Sequence, residues 1–136
     1  MLNQKNLECD LCVIGGGLSG MVAAISAARE GLHVVLMHER AVLGGNASSE
    51  IRMWVSGADG DNNRETGILE EIMLENCYRN PTRNYPIWDS VLYGFVHREK
   101  NIELLLNCTC MDADITKGEF AYGRDVKINS VKGYQM

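Results

Sequence analysis

No apolar run in this 136-residue chain is long enough to cross a bilayer as a helix, which takes about 20 residues. A membrane partner is therefore not expected. Basic residues are in deficit: 13 Lys and Arg stand against 18 Asp and Glu, a formal net charge of -5. No basic block stands out, which disfavours the phosphate-neutralising surface of a nucleic-acid binder. The opening MLNQKNLECD has one Lys and lacks the apolar centre of a signal peptide, so the expected location is cytoplasmic. Proline is scarce, and both residues fall in the stretch Arg79 to Pro86, which reads as a loop. Cysteine comes as an odd five, Cys9, Cys12, Cys77, Cys108 and Cys110. With no secretion signal, that count argues against a closed disulfide framework.

Metal chemistry is also not expected. Cys9-x-x-Cys12 and Cys108-x-Cys110 invite a zinc reading, but both pairs lie in strand-like runs. Cys9 and Cys12 are an odd number of residues apart, so an extended strand sends them to opposite sides. Asp59-Gly60-Asp61 resembles the start of a calcium loop. The twelfth loop position, counted from Asp59, is Glu70, inside a predicted helix, so calcium is rejected. No Ser-His-Asp order or nucleophile elbow is present. His97 reads as a surface or satisfied core histidine. Glu50 and Arg52 read as a structural ion pair, with approach to a bound cofactor or substrate as the alternative. Trp54 and Trp88 read as packing residues. No catalytic residue is assigned.

What remains is 46% hydrophobic and 23% charged, which suits one ordinary domain with a core. Its most informative stretch is DLCVIGGGLSGMVAAISAAREGLHVVLMHE, residues 10 to 39. An apolar strand over Asp10 to Ile14 leads into Gly15, Gly17 and Gly20, a G-x-G-x-x-G pattern that opens a helix from Leu18 or Ser19 to Glu30. That context makes the pattern a dinucleotide signature. The first glycine allows the tight turn, the second lets backbone approach a pyrophosphate, and the third lets helix and strand pack closely. The helix N-terminus then offers N–H groups and a positive dipole end to phosphate. Gly31 is the expected helix stop. A second strand, His33 to Met37, completes a right-handed βαβ unit and ends at His38 and Glu39.

Downstream, a loop carries a second glycine pair, Gly44-Gly45, and the turn-forming stretch from Val55 to Asn63 follows. Helices are predicted over Glu65 to Tyr78, with Ile68, Leu69, Ile72 and Met73 buried, and from an Asp89 or Ser90 cap to Lys100, with Val91, Leu92, Phe95 and Val96 inward. Ile102 to Leu106 is the third parallel strand. Cys108 to Ile115 and Val126 to Val131 read as strands of a hairpin or β-meander, with a turn at Thr116 to Glu119.

Two features separate this pattern from a nicotinamide dehydrogenase. A second glycine pair, in Leu43-Gly44-Gly45-Asn46-Ala47-Ser48, can approach the same pyrophosphate, and Asn46, Ser48 and Ser49 add hydrogen-bonding side chains. A β-meander follows the third strand where a helix is more usual. On these residues the chain resembles the FAD-dependent oxidoreductase family with the glutathione-reductase-type FAD-binding fold, over residues 9 to about 135. The resemblance implies an α/β, Rossmann-like three-layer FAD/NAD(P)-binding domain. It implies that Gly15, Gly17, Leu18, Ser19 and Gly20 wrap the pyrophosphate of FAD. Gly44, Gly45, Asn46 and Ser48 would lie along the pyrophosphate and toward the flavin, and the backbone near Cys110 would meet the adenine edge.

Two departures follow. Counted from Gly15, the family's ribose-binding glutamate falls on His38, with Glu39 one residue later. A ribose diol needs acceptors, and ionised Glu39 offers two oxygens where neutral His38 offers one nitrogen. Glu39 is the expected ribose ligand, with His38 beside the adenosine. The alternative is that His38 merely ends the strand and Glu39 is solvated. Arg40 is a candidate for a phosphate or a plain exposed loop residue, and an NADP site is not favoured. The other departure is length, because enzymes of this family are several times longer. Residues 1–136 are expected to be the N-terminal part of an FAD-binding domain, without the remaining FAD-binding and substrate domains. The parent enzyme would pass hydride between a small-molecule substrate and flavin, and the fragment alone would be inactive. A non-catalytic nucleotide module and an NAD(P)-dependent dehydrogenase domain stand as alternatives.

Overall fold

The computed structural model describes residues 5–58, 61–120 and 123–136, with backbone alone for 117–120 and 123–127. Three short, largely apolar runs, Leu11–Ile14 (β1), Val34–Met37 (β2) and Ile102–Leu105 (β3), form a parallel sheet with β2 in the middle. Leu11 lies opposite Val34, and Val34 opposite Ile102. All four residues of β2 are buried, as a strand covered on both faces requires.

The period of two along each strand divides the core into two layers. Leu11, Val13, Val34, Leu36, Ile102 and Leu104 face the helices, packing with Met21, Ile25, Leu92 and Val96. Cys12, Val35, Met37 and Leu105 face the other way and meet Cys108, Cys110 and Val131. The helix layer comprises Leu18–Arg29 (α1), Gly67–Arg79 (α2) and Tyr85–His97 (α3). Ala24, Ala27 and Ala28 of α1 let it lie close on the sheet, with Ala24 and Ala28 buried there and Ala23 on the exposed side. Arg29 ties the layer at its rim: its guanidinium grips Glu71 of α2 through two 2.9 Å contacts and Glu99, just past α3, through a third of 2.9 Å. Those carboxylates raise the Arg29 pKa, and the same contact lowers that of Glu71.

The opposite layer is an antiparallel ribbon of Cys108–Phe120 (β4) and Gly123–Gln135 (β5). The three-layer α/β expectation is met, with one change: the described residues form a two-stranded pair rather than a longer meander. The predicted turn at Thr116 to Glu119 is also displaced, because pairing runs unbroken from Thr116 opposite Lys127 to Phe120 opposite Gly123. A continued ladder satisfies backbone groups that a turn would leave to water, and this outweighs the preference of one glycine. Residues 121–122 between the strands lie outside the described residues.

α3 begins earlier than expected. The Asn84 side chain accepts the Ile87 N–H, and Pro86 occupies the first turn, where its missing N–H costs nothing. Asp89 and Ser90, read as caps, sit inside the helix. Its inward residues are as expected: Val91, Leu92, Phe95 and Val96 are buried. In α2, Ile72 is the buried residue, flanked by half-buried Ile68 and Met73. Among the described residues no helix is long and apolar enough to cross a membrane.

Candidate functional site

The turn between β1 and α1 is built on two glycines. Gly15 takes φ +112 and donates its N–H to the Met37 carbonyl at 2.8 Å. A Cβ on Gly20 would stand 1.9 Å from the Gly15 carbonyl oxygen, so no side chain fits between helix and turn. Gly17 precedes α1, and no side chain caps the helix. The first-turn N–H groups of Leu18, Ser19 and Gly20 are thus left for a ligand or water. A Cβ on Gly17 would meet nothing within 4 Å, so the space over this turn is open.

The second glycine loop comes to the same place. Gly44 donates its N–H to the Gly16 carbonyl at 2.8 Å and pairs with Gly17 as an isolated parallel bridge. A Cβ on Gly45 would stand 3.2 Å from the Gly17 Cα. The two loops therefore touch backbone to backbone. Gly45–Ala47 then forms one 3-10 turn. The Ser48 hydroxyl donates to the Gly45 carbonyl at 2.7 Å and is fully buried, so it serves the loop's own shape. Asn46 stays exposed on a cleft of about 340 Å³, which Gly17, Leu18, Ser19 and Gly44 also line. Helix α3 pins this loop: the Trp88 indole N–H donates to the Ala47 carbonyl at 2.8 Å, and Asp89 accepts the Ser49 N–H at 2.9 Å.

His38 locks the two loops together from below. Its Nδ1 accepts the Gly16 N–H at 3.0 Å, which leaves Nε2 to donate to the Val42 carbonyl at 3.0 Å. Both ring nitrogens are spent, and the side chain is buried. Burial holds its pKa below the usual histidine value, helped by the nearby Arg40 charge and opposed by the Val42 carbonyl. Glu39 is exposed one residue on. Arg40 pairs with Glu50 at 3.3 Å, so the expected Glu50–Arg52 pair is replaced. Arg52 instead donates to the Ser49 carbonyl and lies over the Tyr85 ring. The start of β4 joins the end of β2 through a 2.9 Å bond from the Cys108 N–H to the His38 carbonyl. Cys110 is half-buried two residues further, beneath the sheet.

The sequence reading missed Gly16, Val42, Trp88 and Asp89 as builders of the cleft. Only Gly16, second of a Gly-Gly-Gly run, carried a local signal. Trp54, expected to pack, is 80% exposed, whereas Trp88 does pack. His97 is on the surface, stacked on Tyr93. Among the described residues no group of three His, Cys, Asp or Glu side chains could hold a metal, and Asp59 and Gly60 of the calcium-like segment lie outside them.

Residues 10–135 match the family of FAD dependent oxidoreductases. The chain belongs to that family. Relatives include the 4-oxocyclohex-2-ene-1-carboxylate 5-dehydrogenase of Sinomonas cyclohexanicum, 39% identical over 109 residues, which are 74% of this chain and 18% of that protein. The sarcosine oxidase subunit alpha of Rhizobium meliloti is 40% identical over 91 residues, 67% of this chain and 9% of that subunit. The chain thus spans less than a fifth of these curated relatives. The solved structure of Thermovibrio ammonificans THI4 superposes with a TM-score of 0.54 at 15% identity, over 93% of this chain and 48% of that one, which supports the fold. An oxidoreductase of this family carries FAD, and the fold seen here is that of its FAD-binding domain.

Proposed function

We propose that this chain holds the ADP and pyrophosphate half of FAD in the cleft between the two glycine loops. The observation that carries the reading is the Gly17–Gly44 bridge, which sets two backbone segments beside the uncapped start of α1. Phosphate oxygens are taken by the N–H groups of Leu18, Ser19 and Gly20 and by the helix dipole. The residues fit the group: backbone approaches closely where a Cβ on Gly45 would meet Gly17, and open space lies over Gly17. Asn46 offers an amide along the cofactor. Glu39 takes the ribose hydroxyls, because His38 has no free ring nitrogen. Ser48, Arg40 and Cys110 act one step back, through loop shape, through Glu50 and through the ribbon backbone.

FAD, when bound, supplies the flavin ring that accepts or returns a hydride. The whole enzyme is proposed to act on a small organic molecule in the cytoplasm. Turnover by these 136 residues alone is not expected, since they span less than a fifth of the curated relatives. The test is thermal unfolding with FAD, ADP, NAD and NADP in parallel. A ligand at a hundredfold excess over its Kd stabilises by about 2.7 kcal/mol. Stabilisation by FAD and ADP alone supports the reading. Preference for NAD or NADP overturns it in favour of a dehydrogenase domain, and indifference to all four favours a module without a nucleotide.

A further inference from the structure

A second cleft, of about 500 Å³, adjoins the nucleotide cleft and shares Ala47, Met53, Trp54 and Val55 with it. Its walls come from the 47–55 segment, the end of α2 and the start of α3. They are mostly apolar and aromatic, with Trp54, Tyr85 and Trp88 as the large faces. One charged residue lines it, Arg83, in the α2–α3 connection. Arg29, Arg40, Arg64, Arg79 and Arg98 each face a carboxylate within 4.0 Å. Arg83 has no such partner among the described residues, and its backbone sits at φ +54, a conformation an arginine seldom adopts. An apolar pocket with a single unpaired guanidinium is complementary to an apolar body bearing one carboxylate.

We infer that this cleft binds a small aromatic or alicyclic carboxylate, with Arg83 on the carboxylate and the two tryptophans against the ring. Its role as the substrate subsite rests on the nucleotide cleft proposed above, because the shared wall would set the ligand beside the cofactor.

Trp54 and Trp88 are the two tryptophans of the chain, so intrinsic fluorescence reports on this cleft directly. The experiment titrates benzoate and its neutral counterpart benzamide into the native chain, R83Q and R83K, following tryptophan emission with calorimetry beside it. Benzoate is expected to saturate, with benzamide about fivefold or more weaker, the size of one charge-assisted contact at a partly open site. R83Q should bind benzoate no better than benzamide, and R83K should keep most of the preference. Arg83 is an exposed loop residue, and a native unfolding midpoint for R83Q shows that its fold is kept. Equal binding of the two probes, unchanged benzoate binding by R83Q, or no saturation overturns the inference. ADP binding is measured on the same samples. Loss of ADP binding with benzoate binding intact fails the nucleotide reading and leaves the carboxylate site standing; the reverse pattern fails the carboxylate site alone.

Discussion

The Gly16 N–H can use His38 Nδ1 only while that nitrogen is unprotonated, and this gives the site a pH limit. The native pKa of His38 is lowered, chiefly by burial, so the unfolded chain takes up the proton first as pH falls. The contribution is complete above the unfolded value near 6.5 and is lost as pH drops through the lowered native value. Unfolding free energy should therefore fall below about pH 6 in the native chain. His38→Gln, whose amide can accept from Gly16 and donate to Val42 without titrating, should flatten that slope; an unchanged slope refutes the role. The glycines differ in a way their motif hides. Gly17→Ala projects a methyl into open space, so the fold should stand while FAD or ADP binding weakens. Gly20→Ala drives Cβ against the Gly15 carbonyl and should cost several kcal/mol, about the upper range for point mutants, seen as a lost unfolding transition. Thiols sort by burial as well. Burial first, and neighbouring thiols second, push Cys12 and Cys108 above the ordinary value. Alkylation at about pH 8 should label exposed Cys9 and Cys77 before either, as peptide mapping would read.

Among the elements, α3 does more than cover the sheet. Its Trp88 and Asp89 hold the second glycine loop at residues 41 and 40 positions away in sequence. Trp88→Phe keeps most of the ring volume and leaves the Ala47 carbonyl without its donor. The expected cost is about 1–3 kcal/mol in urea unfolding, with weaker nucleotide binding at equal occupancy of the folded state. A variant with native stability and native ADP affinity would show that the indole bond is idle. The displaced start of α3 has the same lesson in reverse. Asp89 looked like a cap because it precedes a clean apolar periodicity, yet its carboxylate is engaged with Ser49, while Asn84 caps the helix one turn earlier.

Over the whole molecule, stability is layered. The central strand β2 is buried by helices above and ribbon below, whereas Met111 to Thr116 of β4 are exposed along the outer part of the ribbon. Amide exchange should be slowest in β2 and faster by orders of magnitude in the outer ribbon, since local opening there exposes little apolar surface. Equal protection across both would mean that the ribbon folds as one unit with the sheet. Nucleotide binding should slow exchange at Leu18 to Gly20 and at Gly44 to Asn46 together, because the Gly17–Gly44 bridge makes them one surface.

The sequence by itself determined the βαβ unit, the glycine turn, the three parallel strands and the family, because each rests on local periodicity or on residues a few positions apart. The second glycine loop was legible as a motif, though not its contact with the first. Only the tertiary structure decided that both ring nitrogens of His38 are engaged by Gly16 and Val42, that Arg40 turns to Glu50, and that Trp88 supports the loop while Trp54 lies open. Those outcomes depend on which hydrogen-bond partners the fold brings within about 3 Å, and partners some 10 to 40 residues apart leave no periodic trace in the chain.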